Sequence, residues 1–236
     1  EICWIYNKKD GKITKMDDFL HVIKRSPLFY GLRDEEIPPM LQCLAADQRQ
    51  FEDGEYICRM GTAATDFAMM LDGMGQVIRE NFWGGEERFE ILGPGSLFGP
   101  EFACAQATIL PVGLIAVDKC EVVFMEYKRM INVCNLACGF HNRLLQNMLR
   151  ILAEQNVRMD RNIRHMARKT TREKLLSYLS EEAVKNGGPS FEVPFSRQEL
   201  ADYLAVDRSA MSSELGKLQK EGFLEAKRNW FLLKIV

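Results

Sequence analysis

The chain has 236 residues, 47% hydrophobic and 27% charged, a balance that fits a soluble globular protein and excludes fibrous and disordered classes. That length suits two ordinary domains. The formal net charge of -2 excludes a polycation that coats nucleic acid, so any contact with DNA must come from a local patch.

Residues 1–25 read as an N-terminal extension. The opening "EICWIYNKKDGK" lacks a basic-then-apolar signal pattern, so a cytoplasmic location is expected. Seven cysteines, odd in number and scattered, do not form a disulfide framework and suit a reducing compartment.

From Phe51 to Val123, glycines separate runs of strand length, which predicts antiparallel β structure. Gly84-Gly85 is placed as a hairpin turn between "VIRENF" and "ERFEIL". Within this region "GSLFGPEFACAQATILPVGL", residues 95–114, carries a single charge, Glu101. The longest apolar run, "ILPVGLIAV", has nine residues and contains Pro111 and Gly113, well short of the roughly 18 to 20 needed to cross a bilayer. No membrane partner is expected.

Between Gly139 and Gly187 there is neither glycine nor proline, and apolar residues recur at helical spacing. Leu145, Leu152, Met159 and Met166 fall seven apart, and Met148 is taken as the alternate seam position. Gln155 and Asn162 take the next two places, which predicts a two-stranded coiled coil. A helix packed only on its own domain is the alternative. The stretch from Arg158 to Lys174 has a local excess of five positive charges, which suits DNA steering or a solvated helix face. Thr170 and Glu173 read as a capping box that opens a new helix.

After the turn-rich "NGGPSFEVPF", Ser196 to Glu199 forms a second capping box. Helix, tight turn, helix and a terminal strand pair follow. Two short helices so joined can lay the second in the DNA major groove. Leu200, Ala201, Leu204, Met211, Leu215 and Leu218 face inward, which leaves Arg208, Ser209, Ser212, Ser213 and Lys217 as one polar face. Asp207 is placed to cap the second helix.

The segment "FSRQELADYLAVDRSAMSSELGKLQKEGFL" resembles the winged helix-turn-helix of the Crp/Fnr superfamily of bacterial transcription regulators. "DGEYICRMGTAATDFAMMLDGMGQV" is similar to that family's cyclic-nucleotide-binding-type β-roll. The resemblance implies an α+β fold with a β-roll sensor at 26–133, a dimerisation helix at 134–168 and a winged helix-turn-helix at 169–236. It implies a sequence-specific homodimeric regulator, not an enzyme, acting on a palindromic operator in double-stranded DNA, with RNA polymerase as a partner. Arg197 and Gln198 would contact the phosphate backbone, and Arg208, Ser209 and Ser213 would face bases. Ser209 and Ser213 stand where better-known members carry an acidic residue and an arginine, so the operator is expected to differ from theirs.

The family's cofactors each require a signature. An iron-sulfur cluster needs closely spaced N-terminal thiolates, and only Cys3 is there; His21, His141 and His165 are isolated, which weakens haem. No metal or other cofactor is predicted. Cyclic AMP would need a phosphate-binding Arg-Ser in the roll, where this chain has Leu110 to Val112. The expected effector pocket is built from Phe98, Gly99, Glu101, Phe102, Pro111 and Val112, with Leu145 and Met148 from the long helix. With Glu101 as its only ionised group it would suit an uncharged, aromatic or cationic small molecule. The alternatives are a thiol switch at Cys134 and Cys138, or a vestigial pocket without a ligand. No Ser-His-Asp set or phosphate-binding glycine motif supports an enzyme.

Overall fold

A computed structural model describes residues 4–6, 13–15, 19–132 and 139–234. The strands are β1 (Trp4–Tyr6), β2 (Ile13–Lys15), β3 (Asp47–Phe51), β4 (Tyr56–Cys58), β5 (Asp66–Asp72), β6 (Gly75–Glu80) and β7 (Glu86–Leu92). They continue with β8 (Leu97–Phe98), β9 (Gly113–Ala116), β10 (Cys120–Glu126), β11 (Ser190–Glu192), β12 (Leu224–Lys227) and β13 (Trp230–Leu233). The helices are α1 (Leu20–Arg25), α2 (Ile37–Cys43), α3 (Pro100–Cys104), α4 (Tyr127–Ile131), α5 (Gly139–Met166), α6 (Thr171–Lys185), α7 (Arg197–Tyr203) and α8 (Arg208–Lys220). The chain divides into two compact units, Glu1–Leu152 and Ala153–Val236.

In the first unit two four-stranded antiparallel sheets form the roll, in the orders β3-β10-β5-β8 and β4-β9-β6-β7. Side chains alternate across a strand, so each central strand of the first sheet serves two cores. Phe67, Met69 and Leu71 of β5 and Val123 and Met125 of β10 join the helical side, with Ile23, Leu41 and Leu44. Ala68 and Met70 of β5 and Val122 and Phe124 of β10 turn the other way, onto Leu114 and Ala116 of the second sheet. The sheets meet at a tight turn at Gly73, where φ is +71° and a Cβ would lie 2.5 Å from the Lys119 carbonyl oxygen, so only glycine fits.

The expected hairpin forms between β6 and β7, but its turn differs from the expected glycine pair. Asn81 anchors it: its side-chain oxygen accepts from the Trp83 and Gly85 amides at 3.0 and 2.9 Å. Gly84 takes a positive φ of 78°, and Gly85 does not take a left-handed one. An asparagine side chain that ties down its own turn supplies what a two-glycine turn would otherwise obtain from backbone freedom.

Helix α5 begins on the first unit. Leu144 and Met148 are buried in the helical-side core, and Asn147 Nδ2 donates to the carbonyls of Leu28 and Tyr30 at 2.8 and 2.9 Å. Met148 is only 2% exposed, which corrects its expected seam role. The chain's own roll covers it, and the solvent-facing alternate position is Leu149, 67% exposed. One step around a helix turns about 100°, enough to exchange core for surface. Leu145 and Leu152 are half-buried against the same core, while Met159, Ile163 and Met166 are exposed.

In the second unit both expected capping boxes form. Thr170 accepts from the Glu173 amide at 3.2 Å, and Ser196 from the Glu199 amide at 3.3 Å. Each glutamate reaches back to the amide of its cap residue, at 3.2 Å to Thr170 and 2.7 Å to Ser196. The core gathers Leu175, Leu179, Leu200, Met211, Leu218 and Phe231 from α6, α7, α8 and the sheet β11-β13-β12.

Candidate nucleic-acid interface and effector cavity

The turn between α7 and α8 is tight because Ala205 adopts a left-handed φ of 50°. Lys174 Nζ of α6 donates to the carbonyls of Leu204 and Ala205, each at 3.1 Å, and so satisfies the open end of α7. Asp207 caps α8 by accepting from the Ala210 amide at 2.8 Å. Sequence reading found that cap but missed the Lys174 clasp, because nothing local links a lysine on α6 to the turn.

Met211, Leu215 and Leu218 bury one side of α8, which leaves Arg208, Ser209, Ser212, Ser213 and Lys217 exposed on the other. These five share a surface, but they are not equally free. Ser209 Oγ donates to Asp207, and Lys217 Nζ donates to Glu214 at 3.1 Å. Arg208 has no ion pair among the described residues. The cap carboxyl of Asp207 is held below its ordinary value by the Ser209 hydroxyl and the Ala210 amide.

Arg172 is a second residue that sequence reading missed. Its guanidinium pairs with Glu221 and, at 3.3 Å, with Glu214, and so ties α6 to α8. Its carbon lies 5.1 Å from the centroid of the Phe223 ring. The neutralised Glu214 and Glu221 therefore add less negative potential to the helix that carries Arg208.

The two residues expected to contact phosphates are engaged within the domain. Arg197 lies 4.8 Å from the centroid of the Phe231 ring, and burial lowers its pKa. Its half-buried guanidinium rests against the core ring, so a phosphate contact would have to be made from that seat. A cation–π seat on a buried ring is favourable enough to hold a half-buried arginine there. Gln198 is exposed, with Nε2 donating to Asp202 at 2.9 Å.

The eight residues expected to form an effector pocket do not meet. Phe98, Phe102 and Val112 belong to the core between the sheets, whereas Leu145 and Met148 lie with the helical-side core, across the first sheet. The alternation of β5 and β10 separates the two sets. Gly99 has a φ of 81° and precedes α3, whose first turn holds Glu101; burial pushes that carboxyl up. Pro111 is exposed.

One cavity within the roll holds about 310 Å³, and a neighbouring one, of about 290 Å³, is lined by Ala64, Ala103, Tyr127 and Lys128. Of the expected residues only Phe98 lines the first, together with Leu110 and Phe124, and its ionisable groups include Arg49, Arg59 and Asp66. Glu101 is therefore not the charged group of this cavity.

Cys134 and Cys138 lie outside the described residues. Burial pushes the Cys58 thiol up to about 12 and the Cys120 thiol up to about 11, which disfavours the reactive thiolate at both. Among the described residues no group of three or more His, Cys, Asp or Glu is arranged to hold a metal, and no helix is long and apolar enough to cross a membrane.

Comparison with known proteins adds two matches. Residues 48–136 match the cyclic nucleotide-binding domain family, and residues 173–235 match the Crp-like helix-turn-helix domain family. The cyclic AMP receptor protein of Thermus thermophilus is 28% identical over 203 residues, covering 85% of this chain and 88% of that protein. The transcriptional activator protein FnrL of Cereibacter sphaeroides is 36% identical over 75 residues, 27% of this chain and 30% of that one. Among solved structures, the c-di-GMP responsive global regulator CLP of Xanthomonas campestris aligns with a TM-score of 0.52 at 19% identity. That alignment covers 86% of this chain and 100% of the other, and it shows the shared fold.

Proposed function

Because this chain belongs to the Crp/Fnr family of transcription regulators and carries a helix-turn-helix DNA-binding domain, we propose that it binds a palindromic operator as a homodimer. On this reading α5 pairs with its copy, α8 enters the major groove, and a small molecule in the roll sets the DNA-binding state. RNA polymerase is its partner at the promoter.

The observation that carries the DNA-binding reading is the exposed polar face of α8, with Arg208, free of ion pairs among the described residues, at its amino end above an apolar buried side. Arginine reads guanine edges bidentately, and the short serines beside it let the helix approach closely. The half-buried or exposed positions Leu145, Leu149, Leu152, Asn156, Met159, Ile163 and Met166 follow alternating steps of four and three along α5 and support pairing. A polar Asn156 inside such a seam favours one register.

The effector is read as something other than a cyclic nucleotide. Leu110 is buried in the core between the sheets, and Leu110 to Val112 stand where the family's phosphate-binding pair would be. An anionic phosphate placed on them would meet no cation from that loop.

A gel shift on the DNA upstream of its own gene tests the proposal. Affinity should fall about 10³-fold or more between roughly 50 and 200 mM salt if six or more phosphates are contacted. Arg208→Ala should abolish the specific shift and leave weak non-specific binding. A sequence-specific footprint that survives Arg208→Ala would show that another face of the domain reads the DNA.

A further inference from the structure

The cavity in the roll opens between β3, β4, β5 and β10. At about 310 Å³ it lies near the lower end of the range for small-molecule sites, roughly 300 to 1,000 Å³, and suits a body of about one ring. Its floor is apolar, built from Ile57, Ala68, Phe98, Leu110 and Phe124 of the core between the sheets.

The rim is charged, and its groups are not equivalent. Arg49 is already committed: Nε and Nη2 donate to Asp47 at 2.9 and 2.7 Å, and its guanidinium carbon lies 4.5 Å from the centroid of the Phe124 ring. It forms wall. Arg59 lies 4.1 Å from the centroid of the Tyr56 ring and has no carboxylate partner among the described residues. Tyr56 is in turn fixed, its hydroxyl donating to Glu80 at 2.9 Å. A planar guanidinium stacked in this way keeps its in-plane N–H groups available for a carboxylate.

Asp66 lines the same cavity and has no cationic hydrogen-bond partner among the described residues. Partial burial is the largest cause holding its carboxyl above the ordinary value, with the charges of Glu126 and Asp47 acting the same way and the Thr65 hydroxyl and Arg49 opposing them. A carboxyl so placed is stabilised by a donor that arrives with a ligand. The opening therefore offers one unpaired cation and one underpartnered carboxyl above an apolar floor. A simple amine would leave Arg59 facing a like charge, and a simple acid would bring Asp66 no donor beyond the Thr65 hydroxyl.

We infer that this cavity binds a small amphoteric organic acid, an apolar body of about one ring that carries a carboxylate for Arg59 and a nearby N–H or O–H donor for Asp66. The inference rests on the reading of the roll as a ligand-sensing domain, and it assigns that site a chemical class.

Titration calorimetry on the full-length chain, without DNA, tests it with four probes: phenylalanine, 3-phenyllactate, 3-phenylpropionate and phenethylamine. The first two should bind, 3-phenylpropionate more weakly, and phenethylamine not at all in the same millimolar range. Arg59→Gln should weaken the two amphoteric probes roughly tenfold or more, the usual effect of losing a charged hydrogen bond. Asp66→Asn should remove the difference between 3-phenyllactate and 3-phenylpropionate, while Lys128→Gln, in a neighbouring cavity, should leave every affinity unchanged.

Thermal unfolding of each variant reports whether it folds, and Arg59→Lys and Asp66→Glu provide milder versions with smaller losses expected. The idea is overturned if no probe binds at millimolar concentration, if phenethylamine binds as well as 3-phenyllactate, if Arg59→Gln changes nothing, or if cyclic AMP displaces the probes. A chain that shifts DNA but binds no probe overturns only the cavity assignment. A chain that binds the probes but no DNA overturns only the proposed function.

Discussion

Ala205 shows what one residue stores in this fold. It holds a left-handed φ of 50° at the turn that sets the angle between α7 and α8. That region costs an L-residue with a Cβ about 1 to 2 kcal/mol, and glycine avoids the cost at the expense of greater freedom when unfolded. Ala205→Gly is therefore expected to stabilise the DNA-binding domain by about 0.5 to 1 kcal/mol, read as a rise in thermal midpoint. Gly216 presents the opposite case. It lies inside α8, and a Cβ built there meets nothing within 4 Å, so Gly216→Ala should stabilise by about 1 kcal/mol. The same scale shows what sequence reading can reach. Thr170, Ser196 and Asp207 were legible as caps because a cap needs only its own next three residues. Arg197 was not legible, because the ring that holds it, Phe231, is on the terminal strand.

At the scale of elements, α5 has two faces. Met148 belongs to the core of its own unit, and Leu149 faces solvent. Met148→Ala should then lower the stability of that unit by about 2 to 5 kcal/mol, as deletions at buried sites do. Leu149→Glu should leave folding intact and, if α5 pairs with its copy as proposed, shift sedimentation from dimer to monomer. The end of the same helix is fixed by His165, which is 2% exposed. Its Nδ1 shares a 2.9 Å hydrogen bond with Ser177 Oγ. Its Nε2 lies 3.3 Å from Glu181, near enough for charge attraction but without hydrogen-bond alignment. The Tyr178 and Tyr203 rings pack against the imidazole. Burial is the main cause holding its pKa below the ordinary 6.5; Arg161, Arg164 and Arg168 act in the same direction, and Glu181 opposes them. The folded state thus prefers the neutral ring, while the unfolded chain takes up the proton near 6.5. The contribution of His165 is fully present above that value and is lost as pH falls through the folded pKa, with a slope of at most about 1.4 kcal/mol per pH unit. Urea unfolding between pH 7.5 and 5.5 should show this loss in the wild type, and His165→Gln should remove that component.

For the whole molecule, the proposed dimer makes a geometric prediction. Two copies of α8 related by a twofold axis read half-sites about one turn of DNA apart, roughly 34 Å. Inserting about half a helical turn between the half-sites rotates one away from its reader, and the specific gel shift should disappear while a single half-site retains weak binding. The order of parts is legible along the chain: a glycine-punctuated β region, a long helix free of glycine and proline, then a capped helix-turn-helix. Each rests on local rules, on periodicity, capping and turn chemistry, that act over a few residues. The polar side of α8 is legible too, since helical spacing alone assigns faces. Packing between distant segments places the roll's cavity and brings its charges together. A sheet stands between Phe102 and Val112 on one side and Leu145 and Met148 on the other, and Arg49, Arg59 and Asp66 come together from β3, the loop after β4 and the start of β5. Which strands pair and which core each face joins is settled by packing between segments far apart in the chain, and no local pattern encodes that distance.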